Sequence, residues 1–170
     1  TDCQTFDFPD VVGTFKFYAE AADKFFGQVV PTGPENLGLL VREPAGVVAA
    51  VLPWNFPAAM LAWKLAPALA TGNSVVVKPP ELASLTTLAL AELAIEAGIP
   101  AGVFNVVPGR GEVAGQALGK HMDVDVLSFT GSEPVGRKFL EYSAASNLKN
   151  VTLELGGKSA QIVMPSWADD

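Results

Sequence analysis

Two hydrophobic periods run through this chain, and the switches between them mark its segments. From Pro9 to Phe26, the apolar residues Val12, Phe15, Ala19, Ala22 and Phe26 recur at helical spacing, which predicts a helix whose aromatic stripe packs on a core. The stretch Gly27–Glu35 carries two prolines and two glycines and reads as a connection. Leu37–Arg42 then reads as a strand, ended by Glu43 and Pro44. Beyond Pro44 short β-branched runs follow at Val47–Leu52, Ser74–Val77, Val103–Val106, Val124–Phe129 and Val151–Leu153. Helical stretches lie between them at Ala58–Leu69, Leu85–Ala97, Val113–Leu118 and Pro134–Ala145. Strands that are apolar almost throughout must be buried on both faces, so the alternation predicts an α/β fold, a Rossmann-like parallel sheet with helices on both faces. Sheets of this kind bind ligands beyond the carboxyl ends of their strands. The residues that close the strands here are Trp54–Asn55, Lys78, Pro108–Gly109, Thr130–Ser132 and Glu154, which are polar, small or charged as such a site requires.

Composition narrows the partner. With 11 basic against 18 acidic residues, a net charge of −7 and no run of Lys or Arg, the chain lacks the electrostatic footprint of a nucleic-acid or anionic-membrane binder, and a small-molecule partner is expected. The single cysteine, Cys3, excludes an internal disulfide framework, and with the single histidine, His121, it cannot build a Cys/His metal site. No stretch reaches the roughly 18 apolar residues of a membrane span, and the start TDCQTFDFPD is not a secretory signal, so a cytoplasmic location is expected. Both ends look cut: Thr1 is not an initiator methionine, and SAQIVMPSWADD runs through an expected short strand into Trp167 and what reads as the start of a helix.

Several residues at strand ends could carry chemistry. Asn55 sits between Pro53 and Pro57, which fix the backbone around it, and an amide held in that way can donate to a developing oxyanion. In KPPE, Lys78 and Glu81 flank two stiff prolines, Pro79 and Pro80. A carboxylate there accepts from vicinal ribose hydroxyls and repels a phosphate on the same sugar, which favours NAD over NADP; an exposed loop ion pair is the alternative. In FTGSEPVG, Gly131 and Gly136 bracket a strand-to-helix turn with Ser132 as a candidate N-cap and Pro134 in the first turn, so free amides there would face a pyrophosphate. A tight turn alone also explains these glycines, and Gly109 in VPGRG is a weaker case of the same kind. Glu154 ends an apolar strand before two glycines and should be partly desolvated, which would suit a general base for water. The alternative is a strand-end acid that caps a helix or pairs with a lysine. Lys64, on an apolar helix, implies a partner carboxylate, with Glu154 the candidate, unless its stem only covers the helix flank.

Taken in order, PWNFP, the AWK lysine, KPPE, FTGSEPVG and LELGGKS resemble the cofactor-binding part of the NAD(P)-dependent aldehyde dehydrogenase superfamily, over a span from about residue 8 to the end. Within it the chain is most similar to the betaine aldehyde and aminoaldehyde group, such as the γ-glutamylaminobutyraldehyde type. The resemblance implies that a cysteine thiolate attacks an aldehyde substrate, that Asn55 holds the oxyanion, and that Glu154 activates the water that hydrolyses the thioester, with Lys64 supporting proton movement. It implies NAD, with NADP as the second candidate, bound by Leu52, Pro53, Trp54, Lys78, Pro79, Pro80, Glu81, Gly109, Gly131, Ser132, Glu133, Pro134, Val135, Gly136, Leu155 and Gly156. It also implies a homodimer or homotetramer. The family's nucleophilic cysteine would lie past Asp170, and Cys3 is on the wrong side of the motifs to replace it. The expected organisation is thus an N-terminal helix and connecting strand over residues 1–44, a Rossmann-like NAD-binding domain over 45–156, and the start of a catalytic domain over 157–170. Two other readings remain: a non-catalytic nucleotide-binding module, and a CoA-acylating aldehyde dehydrogenase, against which Glu154 argues.

Overall fold

Residues 2–164 are described by a computed structural model of the chain. After a wide helical turn over Cys3–Asp7, helix α1 (Phe8–Ala21) starts with Pro9 in its first turn, where the missing amide costs nothing. Its buried residue is Val11, with Phe15 one turn on, and both pack on three alanines of the next helix, Ala58, Ala59 and Ala62. The expected stripe is therefore displaced. Val12 is 49% and Phe26 73% exposed, because α1 packs mainly on α2 through its Val11–Phe15 edge and ends at Ala21, before Phe26 can join its face. The connection after it contains a strand that the sequence reading missed. β1 (Gln28–Val30) pairs antiparallel with β2 (Gly38–Leu40), and Gly27 permits their approach, since a Cβ there would meet the Leu40 carbonyl oxygen. Three residues are too few for an alternation to be read, and the pairing itself makes the strand.

The regular part begins at β3 (Val47–Val51), followed by α2 (Pro57–Ala70), β4 (Ser74–Lys78), α3 (Leu85–Glu96), β5 (Phe104–Val106), α4 (Gln116–Lys120), β6 (Val126–Thr130), α5 (Glu133–Ala144) and β7 (Asn150–Glu154). The five strands are all parallel, in the order β5-β4-β3-β6-β7. This is the predicted alternation, with boundaries within a few residues. The helix expected over Val113–Leu118 is instead a wide turn, Gly111–Gly115, leading into α4.

Alternate residues of the strands feed two cores. On one side Val48, Ala50, Val75 and Val77 pack under Leu61 and Leu65 of α2. On the other, Ala49, Val51, Leu127 and Phe129 pack under Leu118 of α4 and Phe139 of α5. Burial of a side chain such as Leu61, fully excluded from solvent, contributes about 1.5–3 kcal/mol. At the opposite edge from the strand tips, Asp125 accepts the Val47 amide at 2.7 Å and so joins the starts of β3 and β6. Gly46 beside it has φ +118°, and a Cβ there would collide with that carboxylate. The strand expected within SAQIVM is not formed over residues 159–164, which pair with nothing in a ladder and leave Ile162 84% exposed. Trp167 and the expected helix start lie outside the described residues. No helix of the described residues is long and apolar enough to cross a membrane.

Candidate active site at the carboxyl edge of the sheet

The central strands β3, β4 and β6 end together, and beyond their tips the chain leaves a cleft of about 880 Å³. Each wall follows from local sequence. β3 runs into Leu52, Pro53, Trp54 and Asn55, all on the cleft wall, before Pro57 opens α2 as its first residue. The prolines on either side hold this bend, and Asn55 is exposed at its outside. β4 delivers Lys78, whose stem is buried (5% exposed) and whose ammonium makes no hydrogen bond or ion pair among the described residues. Pro80 and Glu81 continue the wall, while Pro79 is fully buried behind it. Glu81 is not paired with Lys78. Its Oε1 accepts the Gly111 amide at 2.8 Å and so ties the Gly111–Gly115 turn to the tip of β4.

β6 ends at Thr130, and Gly131, Ser132 and Val135 face the cleft from the start of α5. A Cβ at Gly131 would strike the Phe129 ring, and one at Gly136 would strike Leu155, so both glycines permit close packing at this corner. Ser132 occupies the N-cap position with extended backbone, yet its hydroxyl makes no capping bond, contrary to the expectation. The Gly136 amide is the first to enter the helix ladder, bonding Ser132 at 3.0 Å. Because Pro134 has no amide, Glu133 and Val135 supply the free donors at the positive end of α5. Gly109, Glu133, Pro134 and Gly136 are not on the cleft wall. Gly109 turns the backbone with φ +152°, and Glu133 pairs with Arg137. Of the VPGRG glycines it is Gly111 that reaches the cleft.

Glu154, Leu155 and Gly156 close the far side. Glu154 is exposed rather than half-buried as expected, because β7 is an edge strand with no neighbour outside it. Burial falls on its partner instead. Lys64 of α2 is half-buried and donates to Ser128 Oγ at 2.8 Å; desolvation pushes its pKa below the ordinary 10.5, and the charge of Glu154 partly opposes that shift. The expected Lys64–Glu154 relation is thus a through-space attraction, without an ion pair within 4 Å. Asn55 and Glu154 share one cleft, and Lys64 stands behind it.

The sequence reading missed one wall, made by Glu112 and Gly115 from the wide turn, Gln116 at the start of α4, and Lys138, Phe139 and Tyr142 from α5. A signal for part of it existed: Val135, Lys138, Phe139 and Tyr142 follow helical spacing from the FTGSEPVG turn. The wide turn had none, since it reaches the cleft through the long-range bond to Glu81.

The family model described as the aldehyde dehydrogenase family matches residues 1–169. The chain belongs to the aldehyde dehydrogenase family. It is 58% identical over 168 residues to the aminoacetaldehyde dehydrogenase of Pseudomonas aeruginosa, covering 99% of this chain and 34% of that protein. Among solved structures it is similar to γ-glutamyl-γ-aminobutyraldehyde dehydrogenase from Burkholderia cenocepacia, with TM-score 0.90 and 57% identity over 93% of this chain and 32% of that one. A cysteine-to-alanine mutant of the indole-3-acetaldehyde dehydrogenase of P. syringae, in complex with NAD+ and IAA, matches with TM-score 0.91 and 52% identity, again over 93% of this chain and 32% of that chain. The chain spans about a third of the length of these aldehyde dehydrogenases.

Proposed function

We propose that this chain is the cofactor-binding part of an NAD-dependent aldehyde dehydrogenase that oxidises an aldehyde to a carboxylic acid, with the nucleophilic cysteine lying outside residues 1–170. The observation that supports this best is the convergence of the Asn55 amide and the Glu154 carboxylate on one cleft. The division of the chain follows, with an N-terminal helix and hairpin over residues 1–44, the cofactor domain over 45–156 and the start of a catalytic domain over 157–170. A cytoplasmic homodimer or homotetramer is part of the same reading.

The cleft fits a dinucleotide. The free amide of Val135, on the cleft wall at the positive end of α5, would receive its pyrophosphate, and the unpaired Lys78 ammonium and the Glu81 carboxylate would receive an adenosine ribose. The P. syringae relative binds NAD+, which supports the choice of cofactor. When bound, NAD serves as the acceptor of the aldehyde hydride. This chain's residues do the rest of the work on their side of the site. The Asn55 amide donates to the oxyanion that develops when the thiolate adds to the carbonyl, a contribution on the order of 3 kcal/mol where such donors have been removed. Glu154 takes a proton from the water that cleaves the thioester, and its position at an exposed strand end leaves it within reach of solvent. Lys64 stabilises charge behind Glu154 and passes or receives a proton there. The presence of a carboxylate on the cleft wall at Glu154 supports hydrolysis over transfer to CoA.

The test is pre-steady-state kinetics of the complete enzyme. Glu154→Gln should retain the first-turnover burst of NADH and lose steady turnover by a factor of about 10²–10⁴, the usual worth of a general base. Equal loss of both phases would remove Glu154 from the deacylation step.

A further inference from the structure

The mechanism leaves one polar contact near the reacting groups without a role. Lys64 is the single charged residue of α2, and its ammonium is held by a neutral hydroxyl, Ser128 Oγ, at 2.8 Å. Ser128 lies in the middle of β6, in register with Ala50 of β3 and Thr152 of β7. Its neighbours Leu127 and Phe129 point into the core under α4 and α5, so strand alternation turns Ser128 to the α2 face. Glu154 lies two residues beyond Thr152 and therefore projects to that same face, in register with Thr130. A lysine with a carboxylate acting on it from nearby would ordinarily close an ion pair, yet none exists within 4 Å.

We propose that Ser128 is a positioning residue: its hydroxyl anchors the Lys64 ammonium on β6 and keeps it from closing onto Glu154, so that the carboxylate remains free to take a proton from water. The inference rests on the role given above to Glu154. A closed ion pair would favour the ionised carboxylate and weaken it as a base. It would also occupy the oxygen lone pairs that the attacking water needs. A hydroxyl serves where a carboxylate would not, since it satisfies the ammonium without adding a second negative charge beside the base. Among the described residues no other charged group competes for it. β3 and β6 carry none, β7 brings only Glu154, and on β4 Lys78 follows Val77, which packs under α2, so strand alternation turns Lys78 to the opposite face. On α1, Asp10 is bonded to the Trp63 indole at 3.0 Å, and Lys16 and Glu20 are exposed; on α3, Glu92 and Glu96 are exposed.

The experiment uses the complete enzyme and reads the NADH burst and the pH profile of kcat together. Ser128→Ala should retain the burst amplitude, lower steady turnover about tenfold, and move the acid limb of the kcat profile to lower pH by about half a unit or more, as the freed ammonium closes onto the carboxylate. Ser128→Thr, which keeps the hydroxyl and suits a strand, should restore both. In a Lys64→Met background, Ser128→Ala should have no further effect on the acid limb. An acid limb unchanged in Ser128→Ala, failure of Ser128→Thr to restore it, or a loss of burst amplitude in proportion to turnover would each overturn the proposal; the last would leave Ser128 a packing residue. Glu154→Gln in the same series separates the two levels. If it shows burst without turnover while Ser128→Ala leaves the profile in place, the positioning role fails alone. If it loses both phases together, the reading of the site fails and this inference with it.

Discussion

Replacing Glu81 tests the cofactor site most directly, because the structure gives its carboxylate two separable tasks. One oxygen accepts the Gly111 amide at 2.8 Å and holds the wide turn in place. In the proposed complex the carboxylate also meets the adenosine ribose. Glu81→Gln retains a neutral acceptor for Gly111 and removes the charge, whereas Glu81→Ala removes both. Hydrogen bonds to a charged acceptor contribute about 1.5–3 kcal/mol. Glu81 is exposed, so the low end applies, and Glu81→Gln should raise the Kd for NAD about tenfold. A ribose phosphate of charge about −2 held about 5 Å from the carboxylate is repelled by about 1.7 kcal/mol even in a water-like dielectric, so losing the charge should tighten NADP about fifteenfold. The Kd ratio of the two cofactors should then shift by about two orders of magnitude. Glu81→Ala should weaken both cofactors further by about 1 kcal/mol, because the turn loses its tie. Calorimetric titration of the parent and the two variants with each dinucleotide measures all six constants. A Kd ratio in Glu81→Gln within twofold of the parent would refute the ribose assignment, and equal constants for Gln and Ala would deny the Gly111 tie a part in binding.

Three further outcomes concern stability. Phe139, 3% exposed and packed with ring centroids 5.0 Å from Phe129 and 5.9 Å from Tyr142, joins the core to the cleft wall, and Phe139→Ala should cost about 3–5 kcal/mol in denaturant unfolding. A loss below 1 kcal/mol would mean that this core is not packed as described. Gly46→Ala should cost about 2–4 kcal/mol, combining backbone strain at φ +118° with displacement of Asp125 from the Val47 amide, and Asp125→Ala should recover part of that loss in the double variant. Strict additivity of the two changes would count against the collision. Lys149, 6% exposed, donates to the Gly119 carbonyl at 2.8 Å and to Ser146 Oγ at 3.0 Å, so Lys149→Met should cost about 1–3 kcal/mol. Desolvation lowers its pKa in the folded state. Between that lowered value and the ordinary 10.5 the unfolded chain holds a proton that the folded chain has shed. The lysine's titration therefore adds stability that is fully present above 10.5 and lost as pH falls through the lowered value, so the gap between parent and Lys149→Met should widen as pH rises through that window. A narrowing gap would contradict the sign.

Local chemistry alone determined the order of strands and helices beyond Pro44 and the residues that stand at the strand tips. Apolar runs such as Val47–Val51 and Ser74–Lys78 can satisfy neither face in water, and a proline on each side of Asn55 limits the backbone whatever lies around it. Where the deciding partner is distant in sequence, only the tertiary structure could choose. Val11 rather than Val12 is buried because the alanines of α2 meet that edge of the stripe. β1 exists because β2 pairs with it, and Glu81 binds Gly111 because the turn after β5 folds back over the tip of β4. Glu154 is exposed because β7 is the last strand in the sheet, a matter of strand order that no run of residues encodes locally. The Lys64–Ser128 contact is the strongest case: 64 positions separate the two residues, and neither carries a sign of the other until α2 lies across β6. Short-range sterics and hydrophobic period act on neighbours along the chain, whereas the site's electrostatics depend on which segments the assembled sheet brings side by side.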